Sequence, residues 1–360
     1  MTSVVLAAYG LNGDHTTVEA FGSGLINRTW KMTTPDKVFI LQQVNQQVFR
    51  EPADIAYNHR LLADYLKQHH PEYVFVAPIR SFTGKELVYE NGGCFRLLPF
   101  VHGSHTIDVV ATPQQAYEAA RQFGCFTRML SGMDAAELKT TIPSFHDLEL
   151  RYSQFLLALK YGNHRRTRQA AAVIETAQSY VSIVDAYKAI QQSAAFQRRV
   201  THHDTKISNV LFDEENKGIC VIDLDTVMPG YFISDVGDMM RTYLSPVSEE
   251  ERDFSKIEVR DDFFAAVVEG YYAEMKGVLT AAEKESFFYA GTFLVYMQAL
   301  RFLTDHLNND VYYGAAYEGH NLVRAQNQFT LLHRLVQKQE PLQKLVARIT
   351  TPVSIQYPDQ

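Results

Sequence analysis

Alternating apolar and polar residues, broken by turn signals, predict that the first hundred residues are rich in strands. The pattern predicts two short strands around a glycine turn in 18–34, a third strand in 37–44, and a helix that begins at Pro52. Strand character returns in 73–81 and again in 85–101, where Asn-Gly-Gly between apolar runs is a strong hairpin signal. The predicted order of elements is therefore β-β-β-α-β-β.

After residue 102, apolar residues recur at three- and four-residue intervals, which indicates helices. The predicted helices are 113–130, 145–161, 169–197, 258–276, 281–309 and 320–338. One non-helical island, residues 200–230, interrupts them, and the sequence contains no internal repeat or long linker. We therefore expect an α+β protein of two domains. Residues 1–102 would form a small antiparallel sheet with one main helix, and residues 103–360 a larger, mainly helical domain.

Composition and charge exclude several classes of function. The 360 residues are 46% hydrophobic, enough for a sizeable core, and a net charge of -7 gives no general attraction to nucleic acid or anionic membranes. Cys94, Cys125 and Cys220 lie far apart in sequence, so neither a disulfide framework nor a structural zinc site is expected. The first residues are apolar but carry no Lys or Arg ahead of their short hydrophobic run, so the basic region of a signal peptide is missing. No run of the sequence approaches the roughly 20 apolar residues that a membrane-spanning helix needs. We expect a cytoplasmic protein, and the sequence leaves its oligomeric state open.

The island contains the densest polar chemistry of the chain. In VTHHDTKISNVLFD (200–213), His202, Asp204 and Asn209 fit the pattern H-x-D-x-x-x-x-N, and the later apolar run GICVID ends at Asp223. In-line phosphoryl transfer needs a carboxylate to accept the proton of the attacking hydroxyl, and oxygen ligands for Mg²⁺ on the nucleotide phosphates. Two strands, NVLFD and GICVID, would hold these groups at a set separation. The alternative is that Asp204 and Asn209 only cap the backbone of a turn.

Five strings of the sequence carry a resemblance that extends over nearly the whole chain: GSGLINRTW, FILQQVN, HHDTKISNVLFD, VIDLDTVMPG and RFLTDHLNNDVYY. The chain resembles the aminoglycoside phosphotransferase and choline kinase family, small-molecule relatives of protein kinases, and within it the N-acetylhexosamine 1-kinases. The resemblance implies a bilobal protein-kinase-like fold, ATP as co-substrate with Mg²⁺, and a phosphate transferred to the anomeric hydroxyl of an N-acetylhexosamine. It also implies that Asp204 is the catalytic aspartate and that Asn209 and Asp223 are metal ligands.

Other residues of the island have roles expected from their positions. Lys206, two residues after Asp204, either lies against the transferred phosphate as a catalytic charge or is an exposed loop lysine. We interpret His202 as a residue that shapes the loop. In the resembled family, the segment that holds Asp235 and Asp238 buttresses the catalytic loop, so both are expected to be structural.

The expected nucleotide site departs from the kinase pattern. Gly22, Gly24 and Asn27 stand where a glycine-rich loop is expected, with asparagine in place of the third glycine. Gln42 falls where kinases carry a third-strand lysine that pairs with a glutamate of the next helix, and that helix has only Asn58 and His59 at the matching place. Either the charge comes from elsewhere or nucleotide binding is unusual. The basic residues nearby in sequence are Arg28, Lys31 and Lys37. The residues expected to bracket the adenine hinge are Leu98 and Phe100.

The expected acceptor site lies in ALRFLTDHLNND, where Arg301 and Asp305 are four residues apart on a helix. Such groups bind sugar hydroxyls, but an exposed ion-pair face fits the pattern equally well, and the resemblance favours the sugar site. Tyr317 either stacks on the sugar or packs in the core. Asp225, just past Asp223, is expected to touch the acceptor.

Two classes of function remain. The first is an ATP-dependent sugar kinase similar to N-acetylhexosamine 1-kinase, with kinases of choline, homoserine or aminoglycosides as alternatives on the same architecture. The second is a non-catalytic kinase-fold protein that binds sugar or nucleotide, which the missing strand-three lysine would suit. The intact Asp204, Asn209 and Asp223 favour the first.

Overall fold

The N-terminal part of the computed structural model is built on an antiparallel sheet. The structure describes residues 3–11, 13–22 and 26–351. The strands are β1 Thr17–Ala20, β2 Arg28–Thr33, β3 Val38–Val44, β4 Val88–Glu90 and β5 Gly93–Pro99. They lie in the order β1-β2-β3-β5-β4, each antiparallel to its neighbour. The predicted small antiparallel sheet is confirmed.

Two segments that flank the last strands show one correct prediction and one wrong one. Asn91 and Gly92 have φ values of 48° and 76°, which a tight turn between β4 and β5 requires, so the predicted hairpin is confirmed. Residues 73–81, predicted as a strand, form only a single bridge from Ile79 to Leu97. Pro78 has no N–H to donate to a ladder, so pairing cannot extend through it.

The rest of the chain is mainly helical, as predicted. The α-helices are α1 Ser3–Ala8, α2 Pro52–His69, α3 Pro113–Met129, α4 Leu148–Tyr161, α5 His164–Gln169, α6 Ala171–Ser179, α7 Ser182–Gln192, α8 Phe232–Tyr243, α9 Asp261–Met275, α10 Ala281–Glu285, α11 Phe287–Leu307, α12 His320–Gln337 and α13 Gln339–Thr350. The single helix predicted over 169–197 is wrong, because the chain turns at residues 180–181 so that the apolar faces of both α6 and α7 reach the core. The helix predicted over 281–309 is likewise divided, into α10 and α11, and α1, α5 and α13 were not predicted.

The large core lies among the helices, and the close crossing of α3 and α9 depends on two glycines. A Cβ at Gly124 of α3 would lie 2.9 Å from the Tyr271 carbonyl oxygen of α9, and one at Gly270 would overlap the Tyr117 carbonyl oxygen of α3. The α3 and α9 backbones can therefore approach each other more closely than larger residues would allow.

Four short strands interrupt the helices: β6 Arg199–Thr201, β7 Val210–Phe212, β8 Gly218–Val221 and β9 Met228–Gly230. β7 pairs with β8, which confirms the predicted hairpin, and β6 pairs with β9. These pairings bring the 202–209 loop next to the 222–227 segment. Within the described residues, the three cysteines are buried and free, and no helix is both long and apolar enough to span a membrane.

Candidate active site

The 202–209 loop folds around a buried histidine. His202 Nδ1 accepts the Asp204 N–H at 3.3 Å, and its Nε2–H donates to the Ile222 carbonyl oxygen at 3.0 Å. Burial lowers the pKa of His202, although the Asp204 charge opposes this, and the neutral ring suits one acceptor and one donor nitrogen. The loop-shaping role predicted for His202 is confirmed.

Two aspartates of α8 support the loop from beneath. The Asp235 carboxylate accepts the backbone N–H groups of His202 and His203 at 3.1 and 2.7 Å. The Asp238 carboxylate accepts the Thr205 N–H at 2.9 Å. The structural role predicted for both aspartates is confirmed, since together they fix the backbone on either side of residue 204.

The predicted metal ligands lie beside the predicted catalytic aspartate. Asn209 directly precedes β7, Asp223 follows β8, and the Ile222 N–H donates to the Asn209 carbonyl oxygen at 2.8 Å. Asn209 Nδ2 donates to the carbonyl oxygen and carboxylate of Asp204 at 2.9 and 3.1 Å, which leaves its Oδ1 as a possible ligand. Asp223 has a φ of 59°, a left-handed conformation that is rare outside glycine. The hairpin therefore brings all three side chains to one place.

The chemistry of this donor set fits Mg²⁺ carried by a nucleotide. Asp223 faces solvent, yet the surrounding protein desolvates it and Asp225 and Asp204 repel its charge, so its pKa rises to about 7. Within the described ranges, no cluster of three His, Cys, Asp or Glu side chains could hold a metal by itself. Mg²⁺ commonly takes one or two protein oxygens and completes its shell with phosphate and water. Asn209 and Asp223 suit that arrangement.

Lys206 lies against Asp204, with Nζ and Oδ1 3.1 Å apart. Its side chain is 49% exposed, so the ammonium group can reach a bound ligand. Burial lowers the pKa of Lys206, but Asp204 and Asp238 outweigh it and the net shift is upward, which keeps the charge. Lys206 is therefore charged and accessible, as the catalytic role expected for it requires.

A buried cluster, the Arg96 cluster, joins the sheet to the segment after Asp223. It consists of Asn27, Gln42, His59, Arg96 and Asp225. The Arg96 guanidinium forms an ion pair with Asp225 and donates from Nε and Nη2 to Gln42 Oε1 at 2.9 and 2.7 Å. Asn27 Nδ2 donates to Asp225 Oδ2 at 2.8 Å. Asp225 is only 1% exposed, so this geometry favours a positioning role over the acceptor contact expected for it.

The other residues expected at the nucleotide occupy the sheet and its loops. Gly22 has a φ of 79° in open space, whereas Gly24 lies outside the described residues. Leu98 and Phe100 are half-buried at the end of β5, where a hinge is expected. The Lys31 ammonium lies 5.5 Å from the centre of the Phe100 ring.

A cavity of about 470 Å³, the arginine groove, runs between α4 and α11 under the 308–313 segment. Its lining residues are Arg151, Gln154, Leu157, Ala158, Tyr161, Arg301, Thr304, Asp305, Asn308, Tyr312 and Tyr313. Arg301 lies 5.9 Å from the Phe145 ring, and that ring lies 6.4 Å from the ring of His203, the neighbour of Asp204. The Phe145 ring therefore lies between Arg301 and the 202–209 loop.

Two residues expected to bind the acceptor have internal partners. The Asp305 carboxylate accepts the N–H groups of Tyr312 and Tyr313 at 2.7 and 2.9 Å, so it fixes the 308–313 segment. The Tyr317 ring contacts that of His320 in a tilted arrangement and lies under the Arg252 guanidinium, outside the groove lining. Of the four expected acceptor residues, Arg301 has the most accessible polar group in the groove.

The sequence model of the APH family, described as the phosphotransferase enzyme family, matches residues 17–277. This span contains the sheet, the 202–209 loop and the β7–β8 hairpin. The chain belongs to the APH phosphotransferase family. The match covers most of the chain and gives the reaction class, phosphoryl transfer to a small molecule.

Solved structures share the fold of this APH phosphotransferase at low sequence identity. It is similar to an aminoglycoside phosphotransferase from Alicyclobacillus acidocaldarius subsp. acidocaldarius DSM 446, with TM-score 0.59, 12% identity and 97% of each chain covered. A microcompartment-associated aminopropanol kinase gives TM-score 0.60 and 14% identity over 95% of this chain and 97% of that one. A choline/ethanolamine kinase family protein from Mesorhizobium loti gives 0.56 and 16% over 96% and 97%. These neighbours confirm the kinase-like fold predicted from the sequence.

Two arginines of this APH phosphotransferase were missed by sequence reasoning. Arg96 is a lone charge inside the apolar strand CFRLLPF, a pattern that signals a buried ion pair. Arg151 lies in the first turn of α4, and only the fold brings it next to Arg301. The sequence therefore carries a signal for Arg96 but none for Arg151.

Proposed function

We propose that this phosphotransferase transfers the γ-phosphate of ATP to a free sugar, and that the sugar is an N-acetylhexosamine phosphorylated at its anomeric hydroxyl. ATP lies between the two domains, which meet near residue 102, with adenine at Leu98–Phe100. Asp204 orients the hydroxyl and accepts its proton, and Lys206 offsets charge on the transferred phosphate. Asn209 Oδ1 and the Asp223 carboxylate would hold Mg²⁺, which would offset negative charge on the nucleotide phosphates.

The charge of the arginine groove is the observation that carries the acceptor class. Among the described residues, no carboxylate lies within 4.0 Å of a nitrogen of Arg151 or Arg301, and Arg301 bonds only Gln298 and Tyr312. Burial, followed by the Arg301 charge, lowers the pKa of Arg151, which shows that the two cations repel each other. Because choline, ethanolamine, aminopropanol and aminoglycosides are cations, this groove would disfavour the acceptors named for the structural neighbours.

The remaining lining of the groove suits a neutral, hydroxylated ring. Arg301 lies 5.4 Å from the Tyr313 ring centre and 5.6 Å from that of Tyr312, so aromatic faces and a guanidinium fork border the same space. Sugars bind through such pairs, with ring C–H groups against an aromatic face and hydroxyls on charged donors. The N-acetyl group and the 1-position rest on the resemblance of the five sequence strings.

The test is turnover with MgATP of a panel of N-acetylhexosamines, other sugars, choline, ethanolamine and kanamycin. We expect N-acetylhexosamines to be phosphorylated and the amines not to be. Arg301→Ala should raise the KM for the sugar about 10- to 100-fold, the equivalent of a lost charged hydrogen bond, and leave the KM for ATP unchanged. Arg165→Ala, which removes an exposed pair with Glu318, is the matched control and should change neither.

A second candidate is a protein that binds sugar and nucleotide without turnover, which Gln42 in place of the strand-three lysine favours. Saturable sugar binding with no phosphorylation of any panel member would support this candidate. Phosphorylation of choline or kanamycin, with none of the sugars, would refute the sugar kinase.

A further inference from the structure

A buried arginine stands directly across the sheet from the glutamine that replaces the expected lysine. Gln42 on β3 and Arg96 on β5 are register partners in the antiparallel ladder. Both Nε and Nη2 of Arg96 donate to the same Gln42 oxygen, and the guanidinium is 2% exposed. The positive charge therefore lies on β5, one strand away from the third strand where it was expected, and Gln42 accepts its hydrogen bonds.

The charge of Arg96 is balanced from the other domain. Its partner Asp225 is as deeply buried, and two buried charges are stable only when each finds further hydrogen bonds. Gln42 supplies these bonds for Arg96, and the Asn27 amide supplies one for Asp225. This ion pair is therefore the charged link between β5 and the segment that holds Asp223.

Three elements of the N-terminal domain contact that segment. Asn27 precedes β2 and Arg96 lies on β5, and both bond Asp225. Asn58 of α2 donates through Nδ2 to the Val227 carbonyl oxygen at 3.0 Å. Asp223, two residues before Asp225, has a left-handed backbone that costs free energy and persists only when its surroundings enforce it.

The place of Arg96 is not taken by Arg28, Lys31 or Lys37, the other basic residues near Gln42 in the sequence. Arg28 and Lys37 are exposed. The Lys31 ammonium lies 3.9 Å from Glu19, on the edge strand β1. Arg96 is thus the cation, among those described near Gln42, that pairs with the 223–225 segment.

We propose that Arg96 takes over the ion-pairing role of the strand-three lysine and Asp225 that of the helix glutamate, so that this ion pair positions Asp223 for the nucleotide–metal complex. Arg96 is a positioning residue in this account, because it acts through Asp225 and contacts neither phosphate nor acceptor. The inference rests on the proposed phosphoryl transfer from ATP but not on the identity of the sugar.

The experiment measures binding of the non-hydrolysable analogue AMP-PNP with Mg²⁺ by calorimetry, for the whole chain and its variants. Arg96→Met removes the charge and keeps most of the volume, and we expect the Kd for the analogue to rise about 10-fold or more. The double variant Arg96→Met/Gln42→Lys returns a cation to the third strand and should restore the Kd to within about 3-fold of wild type. A residue that only stabilises the fold would not be rescued in this way.

Arg199→Met is the matched control, because Arg199 forms a similarly buried pair with Glu283, 2.8 Å from Nη2 to Oε2, outside the Arg96 cluster. It should lower the unfolding midpoint and leave the Kd unchanged. An unchanged Kd in folded Arg96→Met would overturn the proposal. So would a double variant that is unfolded or that binds the analogue about 10-fold more weakly than wild type. Since analogue binding needs no acceptor, a wrong sugar assignment would appear in turnover alone.

Discussion

Asp204 is held between two side chains with different roles. Asn209 Nδ2 contacts its Oδ2 at 3.1 Å, and Lys206 Nζ contacts its Oδ1 at 3.1 Å. The amide contact orients the carboxylate, and the ammonium stabilises its negative charge. The loop pattern in the sequence predicts Asp204 and Asn209 as partners, but whether Lys206 turns inward depends on the folded loop.

Asp204→Asn should lower kcat about 10³-fold, because an amide cannot accept the proton of the sugar hydroxyl. The Kd for the sugar should stay near the wild-type value, since the arginine groove is unchanged. Turnover and sugar calorimetry on the same preparation separate the two effects. A variant with more than about a tenth of wild-type kcat would exclude Asp204 as the base.

Lys206→Ala should lower kcat about 100-fold with little change in sugar affinity, because the charge acts on the phosphate as it is transferred. Lys217→Ala is the matched control: Lys217 lies in the turn of the neighbouring hairpin and pairs only with exposed Glu215, 3.4 Å away. Near-normal kcat for Lys206→Ala would instead support a solvent-exposed loop lysine.

At the scale of elements, periodicity predicts what local sequence determines. The β4–β5 turn, the β7–β8 hairpin and most helices follow from turn residues and helical spacing. The strand predicted over residues 73–81 is wrong because Pro78 has no N–H to donate, so the apolar residues around it cannot form a ladder. Helix α10 is bound to a distant strand through Glu283 and Arg199, and such a contact has no local signature in the sequence.

Helix α8 carries both aspartates that hold the 202–209 loop, and its position depends on a glycine. A Cβ at Gly237 would overlap the carbonyl oxygen of Ala290 on α11. Gly237→Ala should therefore push α8 away, cost about 1–3 kcal/mol of unfolding free energy and lower turnover at the same time. Gly277→Ala, where no atom lies within 4 Å of the new Cβ, should do neither in urea unfolding and turnover assays. Equal stability of the two variants would contradict the close packing of α8 on α11.

At the scale of the whole molecule, buried histidines make stability depend on pH. Burial, followed by the Arg96 charge, lowers the pKa of His59 to about 4, and burial lowers that of His203 to about 3. Below pH 6.5 the unfolded chain binds protons that the folded chain refuses, so these groups destabilise the fold as pH falls from about 6.5 toward 3. Asp235 acts in the opposite sense: burial raises its pKa to about 7, so its contribution weakens as pH rises from about 4 to 7.

Between pH 7 and pH 5 each such histidine should lower the unfolding free energy from urea titrations by up to about 1.4 kcal/mol per pH unit, whereas Asp235 and Asp223, whose pKa values are raised to about 7, act against this fall. His59→Gln should reduce the slope of this dependence by about one proton. An unchanged slope in that variant would mean that His59 is protonated in the folded protein.

The kinase-like fold and the reaction class could be predicted from the sequence, whereas the proposed acceptor groove is lined by side chains that only the fold brings together. Arg151 and Arg301 are far apart in sequence and border one groove. The most direct test is therefore the product itself, from MgATP and N-acetylglucosamine or N-acetylgalactosamine, examined by phosphorus NMR. We predict a single sugar phosphate whose phosphorus couples to the anomeric proton. A phosphate on another hydroxyl, or turnover of amine alcohols alone, would contradict the proposed 1-kinase.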